Sequence, residues 1–257
     1  MNYGLYLSAS GVLNSMYRQD VQANNLANIN TVGFKPDIPV VKERLTAREE
    51  AGGMPGDIQN ILEQLGGGLF GDQTRVSTAQ GSLLQTTQPF DLALNGNGFF
   101  TVSDGNGTNE VRLTRDGRMG LNDQGELVMM ATGNPVLDTG GGRIKLDPTK
   151  DLVVNSDGTI RQGGAKIAKL RIAGVSDPRM LVKRGNNLLS VNDPTALADA
   201  TSTTKVQQGY TEDSATDPVM TLNEMINAAR AAQANAQLMQ YHDHVMGEAV
   251  NSLGRVG

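Results

Sequence analysis

The sequence predicts an α+β protein. An N-terminal and a C-terminal helix pair as a coiled coil, with a central, mainly antiparallel β domain between them. Three observations carry this. Both ends repeat apolar and small residues with 4-3 spacing. Residues 81–192 carry recurrent turn dipeptides and no helical stretch. Glycine is 31 of 257 residues, well above the ~7% of ordinary proteins, as short strands joined by tight turns require.

The N-terminal pattern covers residues 4–30, within a segment bounded at 1–35. Leu5, Ala9, Val12, Met16, Gln19, Ala23 and Leu26 form its seam. Gly33 is placed to take a left-handed cap, and Pro36 stops the helix from continuing. Residues 36–80 read as an extended or irregular connector, with a possible short amphipathic helix at Asp57–Leu65. In the β domain, turns are marked by Asn95-Gly96, Asp116-Gly117, Asp157-Gly158 and Gly163-Gly164, with Gly98 beside the first. Between them lie short runs such as Phe99–Val102 and Leu152–Val154. Residues 193–218 form a return connector. Asp217-Pro218 then opens the second helix, over 219–257, with Asp as N-cap and Pro at the first helical position. Its seam runs through Met225, Ala229, Ala232, Ala236, Met239 and Met246, beside a parallel row of Leu222, Ile226, Ala229, Gln233 and Ala236.

Charge is depleted at both ends. Residues 1–34 hold only Arg18 and Asp20, and residues 219–247 only Glu224, Arg230 and Asp243, against 19% charged residues chain-wide. Eight and six Asn or Gln stand in their place. A solvated surface helix carries a charged outer face, and these do not. Neutral amide flanks suit helices packed against other helices on several sides. The competing reading is a helix pair that merely staples its own β domain.

Composition and motifs exclude much else. A net charge of −5 argues against nucleic acid as a partner. No apolar run approaches the ~20 residues of a membrane span. With no cysteine there is no disulfide or thiolate site. His242 and His244, two apart on a helix, point in nearly opposite directions. Asp104–Asn109 resembles the start of a calcium loop but lacks its Gly and closing Glu, so it is read as a hairpin turn. Gly96-Asn97-Gly98 lacks the third glycine of a dinucleotide loop. The carboxylates are scattered. No catalytic residue, metal or cofactor is expected. No cleavable signal peptide is visible, which fits a cytoplasmic protein or export by a route that leaves the N-terminus uncut.

The residues also match a family. Ala23-Asn24-Asn25-Leu26-Ala27-Asn28-Ile29-Asn30-Thr31-Val32-Gly33-Phe34-Lys35 resembles the N-terminal signature of bacterial flagellar rod and hook proteins. Gln80-Gly81-Ser82-Leu83 and Pro89–Phe100 look like that family's entry into its β domain. Leu113-Thr114-Arg115-Asp116-Gly117 is similar to its hairpin, with Leu in the place of an aromatic. Gln208-Gly209-Tyr210, Asp217-Pro218-Val219 and Met225-Ile226 look like the start of its last helix. Ala215 departs from the usual Asn, and Ala232-Gln233 from the usual aromatic-Glu. The length suits a rod subunit, distal or proximal, better than the hook.

The resemblance implies a rod subunit exported unfolded through the flagellar type III apparatus without signal cleavage. It implies assembly in the periplasm with copies of itself and with other rod and hook proteins, into a helical tube that carries torque, with the termini inside and the β domain outside. Gln19, Asn25 and Gln233 would bond across helices, Asn28 sits in the signature, and Ala23, Ala229 and Ala236 would allow close approach. The termini would order as they assemble. The alternative is a monomeric secreted β-domain module, either a binding protein or a cell-wall enzyme.

Overall fold

The computed structural model describes residues 3–45, 67–104, 110–191, 193–200 and 203–253. The helix expected at Asp57–Leu65 and the loop residues 105–109 lie outside the described residues. Helix α1 spans Tyr3–Ala27 and α2 spans Pro218–Leu253. Ala, Leu, Met and Gln dominate α2, all good helix formers, and Pro218 opens it where its missing N–H costs nothing. No described helix is long and apolar enough to cross a membrane.

The strands between them run, in chain order, β1 Asp37–Glu43, β2 Leu69–Val76, β3 Leu83–Gln85, β4 Leu92–Asn95, β5 Phe99–Ser103, β6 Val111–Thr114, β7 Met119–Leu121, β8 Leu127–Met129 and β9 Leu152–Val154. They continue with β10 Thr159–Gln162, β11 Ala165–Lys169, β12 Ile172–Val175, β13 Leu181–Lys183, β14 Leu189–Val191, β15 Leu197–Asp199, β16 Lys205–Gln208 and β17 Tyr210–Glu212. Two helices therefore flank a β-rich centre. Strands also occupy both segments expected as connectors. In β2, Leu69 and Phe70 stay exposed, so no apolar alternation marks it. In β16 and β17 the pairing is with residues more than a hundred positions earlier, which local composition cannot signal.

The chain forms two compact units. One takes residues 1–26, 38–74 and 218–257, and the other residues 27–37 and 75–217. In the β unit the main sheet runs β13-β14-β6-β5-β12-β15, and its strand pairs are antiparallel. Neighbouring residues of a strand point to opposite faces, and here both faces are covered. Phe100, Val102 and Ile172 enter the larger core with Leu92, Leu127 and Ile160. Phe99, Leu113 and Ala173 enter a smaller core with Leu181 and Leu189. This is why Phe99–Val102 is a continuous apolar run rather than an alternating one. Strands β5 and β6 pair as a hairpin with Ser103 opposite Val111, as the hairpin reading of Asp104–Asn109 expects.

Turns in the β unit are tied by side chains. Asp147 Oδ1 accepts from both the hydroxyl (2.6 Å) and the backbone N–H (3.0 Å) of Thr149, and Lys150 lies 3.2 Å from Oδ2. These bonds, the Thr149 hydroxyl first, hold the Asp147 carboxyl down at about 2. A depressed folded-state pKa favours the folded turn above the ordinary carboxyl range, and the advantage is lost as pH falls toward 2. Thr149→Val is expected to raise the Asp147 titration midpoint toward the ordinary value. Carboxyl-carbon NMR shifts against pH check this.

Candidate assembly surface

The two helices meet along a stripe that is small and polar on α1 and mixes Ala, Met and polar residues on α2. A β-carbon at Gly4 would lie 3.0 Å from the His242 ring, and one at Gly11 would lie 2.8 Å from the Asn235 amide. Further along, the Gln22 amide donates to Glu224 Oε2. Seven residues separate the first two contacts on each helix and eleven the next two, in opposite directions. The helices thus run antiparallel. On α1 the facing positions 4, 8, 11, 15, 22 and 25 include Ser8, Ser15, Gln22 and Asn25, all buried. Asn25 Nδ2 donates to Gln22 Oε1. On α2, Thr221 and Ala228 are buried and Met225, Ala232, Asn235, Met239, His242 and Met246 are half-buried at the matching 4-3 spacing.

On α1 the apolar seam read from the sequence lies one residue further along, rotated about 100° around the axis, and so does the parallel row Leu222, Ile226, Ala229, Gln233 and Ala236 on α2, whereas Met225, Ala232, Met239 and Met246 of the α2 seam stand on the facing stripe itself. Leu5, Met16, Leu222 and Ile226 are between 38% and 51% exposed. Ala23 and Gln233 are exposed, while Ala9, Val12, Gln19, Leu26, Ala229 and Ala236 are half-buried. In an antiparallel pair, one step forward on each helix turns toward the same flank. The two rows therefore form one strip on one side of the pair. It holds no ionisable group from Leu5 to Leu26 on α1 or from Leu222 to Ala236 on α2.

The opposite flank of α1, one residue back, is where β2 packs. Ser10 Oγ donates to Leu69 O at 2.8 Å, and Tyr17 O–H donates to Asp72 O at 2.6 Å. Arg44 stacks its guanidinium over Tyr6 and Phe70. On the same flank of α2, Leu238, Tyr241 and Val245 remain 42% to 65% exposed. The helical unit thus carries two unlike uncovered apolar patches on opposite flanks. His244 pairs with Glu248 on the surface, and among the described residues no acidic, His or Cys cluster could hold a metal.

The turn residues lie in the β unit. Gly33 takes φ 68, and a β-carbon there would fall 2.4 Å from the Arg115 backbone. Asn28, half-buried past the end of α1, receives the Thr31 hydroxyl at 3.1 Å. Asp116 grips Arg118 with both oxygens, at 3.0 and 2.7 Å. Gly96 has positive φ, whereas Gly98 and Gly117 do not. They are needed because Ile172 and the Leu92 carbonyl approach them to within 2.8 and 1.6 Å of a β-carbon position.

One residue that sequence reasoning missed sits among these. Glu212 is buried between Lys35 Nζ (2.6 Å) and Arg115 Nη1 (2.7 Å), all three side chains 2% exposed or less. Burial, only partly offset by Glu212, pulls the Lys35 ammonium below the usual lysine range. The available signal was a cation inside each of two family signatures, Lys35 and Arg115, since a cation that folding buries requires an acid beside it. Gln22 with Glu224 was also missed, since neither stands on the apolar repeat.

Residues 5–35 match the model of the flagella basal body rod protein family, and residues 93–162 that of the flagellar hook protein FlgE/F/G D1 domain. The chain is 33% identical over 259 residues to the flagellar basal-body rod protein FlgF of Caulobacter vibrioides, covering 100% of both. It is 32% identical to FlgF of Mesorhizobium japonicum, covering 99% of both, and 31% identical to the basal-body rod protein FlgG of Bacillus subtilis, covering 96% and 97%. This is a structural family rather than an enzyme family. The chain belongs to the flagellar basal-body rod proteins.

Proposed function

We propose that the chain is a structural subunit of the flagellar rod, located in the basal body and polymerising through its terminal helices into the drive shaft that passes torque to the hook. The carrying observation is the pair of unlike apolar patches on opposite flanks of the helical unit, one of them without any ionisable group. One patch of one copy seated on the other patch of the next makes a head-to-tail contact, which propagates instead of closing. Coiled-coil packing of α1 on α2 through the small-residue stripe leaves both patches free for neighbours. Other rod and hook proteins join the two ends of the stack. Export proceeds through the flagellar type III apparatus into the periplasm, without signal cleavage, and the helices complete their burial in the assembly.

Full-length Leu222→Glu and Tyr241→Glu variants test this by sedimentation. Each alone is expected to stay monomeric, because one patch is charged. Mixed, they are expected to form one-to-one dimers that grow no further, while wild type elongates. Monomers in the mixture beside a polymerising wild type would refute the head-to-tail contact. A wild type that never self-associates at high concentration would refute polymerisation.

A further inference from the structure

We propose that Glu212 is a positioning residue for the assembly helices: it fastens the segment leaving α1 and the segment entering α2 to each other inside the β unit. Its importance to assembly rests on the rod reading above; the joint itself rests on geometry. The Glu212 carboxylate holds Lys35 and Arg115 and accepts the Gly81 N–H at 2.9 Å. Lys35 Nζ also donates to Ala79 O at 2.5 Å, and Arg115 Nη2 to Gly96 O at 2.6 Å. The Glu212 backbone carbonyl accepts Gly33 N–H at 2.6 Å, and Phe34 O accepts Ala215 N–H at 3.1 Å. The Glu212 side chain thus holds Lys35, Gly81 and Arg115, which in turn reach Ala79 and Gly96, while backbone bonds from the same stretch hold Gly33 and Phe34 beside strand β17.

The choice of charge is informative. Three apolar side chains of this volume would hold a domain together as well or better. A carboxylate between two cations and a backbone N–H fits one placement only, whereas an apolar contact can slide. The cluster therefore fixes register between residues 33–35 and 212–215, the two stretches that lead to the helices. A second tie secures the same stretch after α1. Lys183 Nζ pairs with Asp37 Oδ2 at 2.7 Å and lies 4.1 Å from the Phe34 ring centroid. Asn187 donates to Val32 O at 2.6 Å.

Amide hydrogen exchange on the full-length monomer tests this with Glu212→Gln, which keeps shape and removes charge. Exchange at Gly33 and Ala215 is expected to rise about tenfold or more, while Val102 and Leu113 in the main sheet stay within about twofold. A parallel rise at all four sites would make Glu212 merely a stabiliser and overturn the proposal, as would no rise. If Glu212→Gln does not fold, the apolar triple variant Lys35→Met, Arg115→Met, Glu212→Leu carries the test. Its core is expected to stay protected with Gly33 and Ala215 still fast, and wild-type protection at those two amides overturns the proposal. Because the readout is on the monomer, it is independent of the patch-mixing result.

Discussion

Gly117→Ala is expected to unfold the β unit, or to lower its melting temperature by about 8–16 °C, corresponding to a loss of about 4 kcal/mol. The added methyl carbon would stand 1.6 Å from the Leu92 carbonyl oxygen, a distance no rotamer relieves, because the backbone alone fixes both positions. Relief requires Gly117 to move, and it is held: Leu92 N–H bonds Gly117 O at 3.0 Å, and Asp91 bridges Arg118 on the next residue. Leu92 is fully buried in the larger core, so a shift there disturbs Phe100 and Leu127 as well. Calorimetry of the variant checks it. Gly247→Ala in α2, where a β-carbon meets nothing within 4 Å, is the control that should not lower the transition.

Gly11→Leu is expected to abolish assembly while the β unit keeps its melting transition. A β-carbon alone would sit 2.8 Å from the Asn235 side-chain amide, and three further carbons have nowhere to go but between the helices. Overpacking of this kind costs about 1–3 kcal/mol. The α1–α2 contact has limited apolar burial to offset that, since the α1 side of its stripe is Gly, Ser, Gln and Asn and the apolar groups come from α2 alone, chiefly Met225, Ala228, Ala232, Met239 and Met246. Loss of pelletable polymer with unchanged β melting is the expected result, and normal polymer would contradict close approach. Gly11→Ala should cost less than about 1 kcal/mol, because the Asn235 amide is the flexible end of a side chain and can turn aside.

The architecture was legible where one local signal decides. Turn glycines and short apolar runs marked the strands near Phe99–Val102, and Pro36 and Pro218 bounded the helices. The seam phase of α1 was not, although Met225, Ala232, Met239 and Met246 of the α2 seam do stand on the facing stripe. Heptad reading selects the most apolar stripe, Leu5 to Leu26, whereas the stripe facing α2 is small and polar and lies one residue earlier. Backbones approach closely where side chains are small, so the intimate contact carries the weakest hydrophobic signature. Strands β16 and β17 escaped for another reason: their partners β4 and β3 lie far back in the chain, and Thr- and Gln-rich composition conceals them. Gly98 and Gly117 were recognisable as special, but as turns. Their real constraint, a neighbour pressed against the Cα, is visible only in three dimensions. Glu212 shows the same limit, since its partners lie 97 and 177 residues away.

The helical unit is interrupted twice in sequence, and its two long helices are separated by the 190 residues from 28 to 217. A chain emerging amino end first therefore releases α1 long before its companion exists. At the pace of a ribosome, about 5–20 residues per second, the wait is roughly 10–40 s. During that interval a bare amphipathic rod rich in leucine would clump with its siblings. The many carboxamides of α1 keep the orphan wettable without supplying charges that would later have to be stripped of water, so the same composition that loosens the pair safeguards its solitary first half.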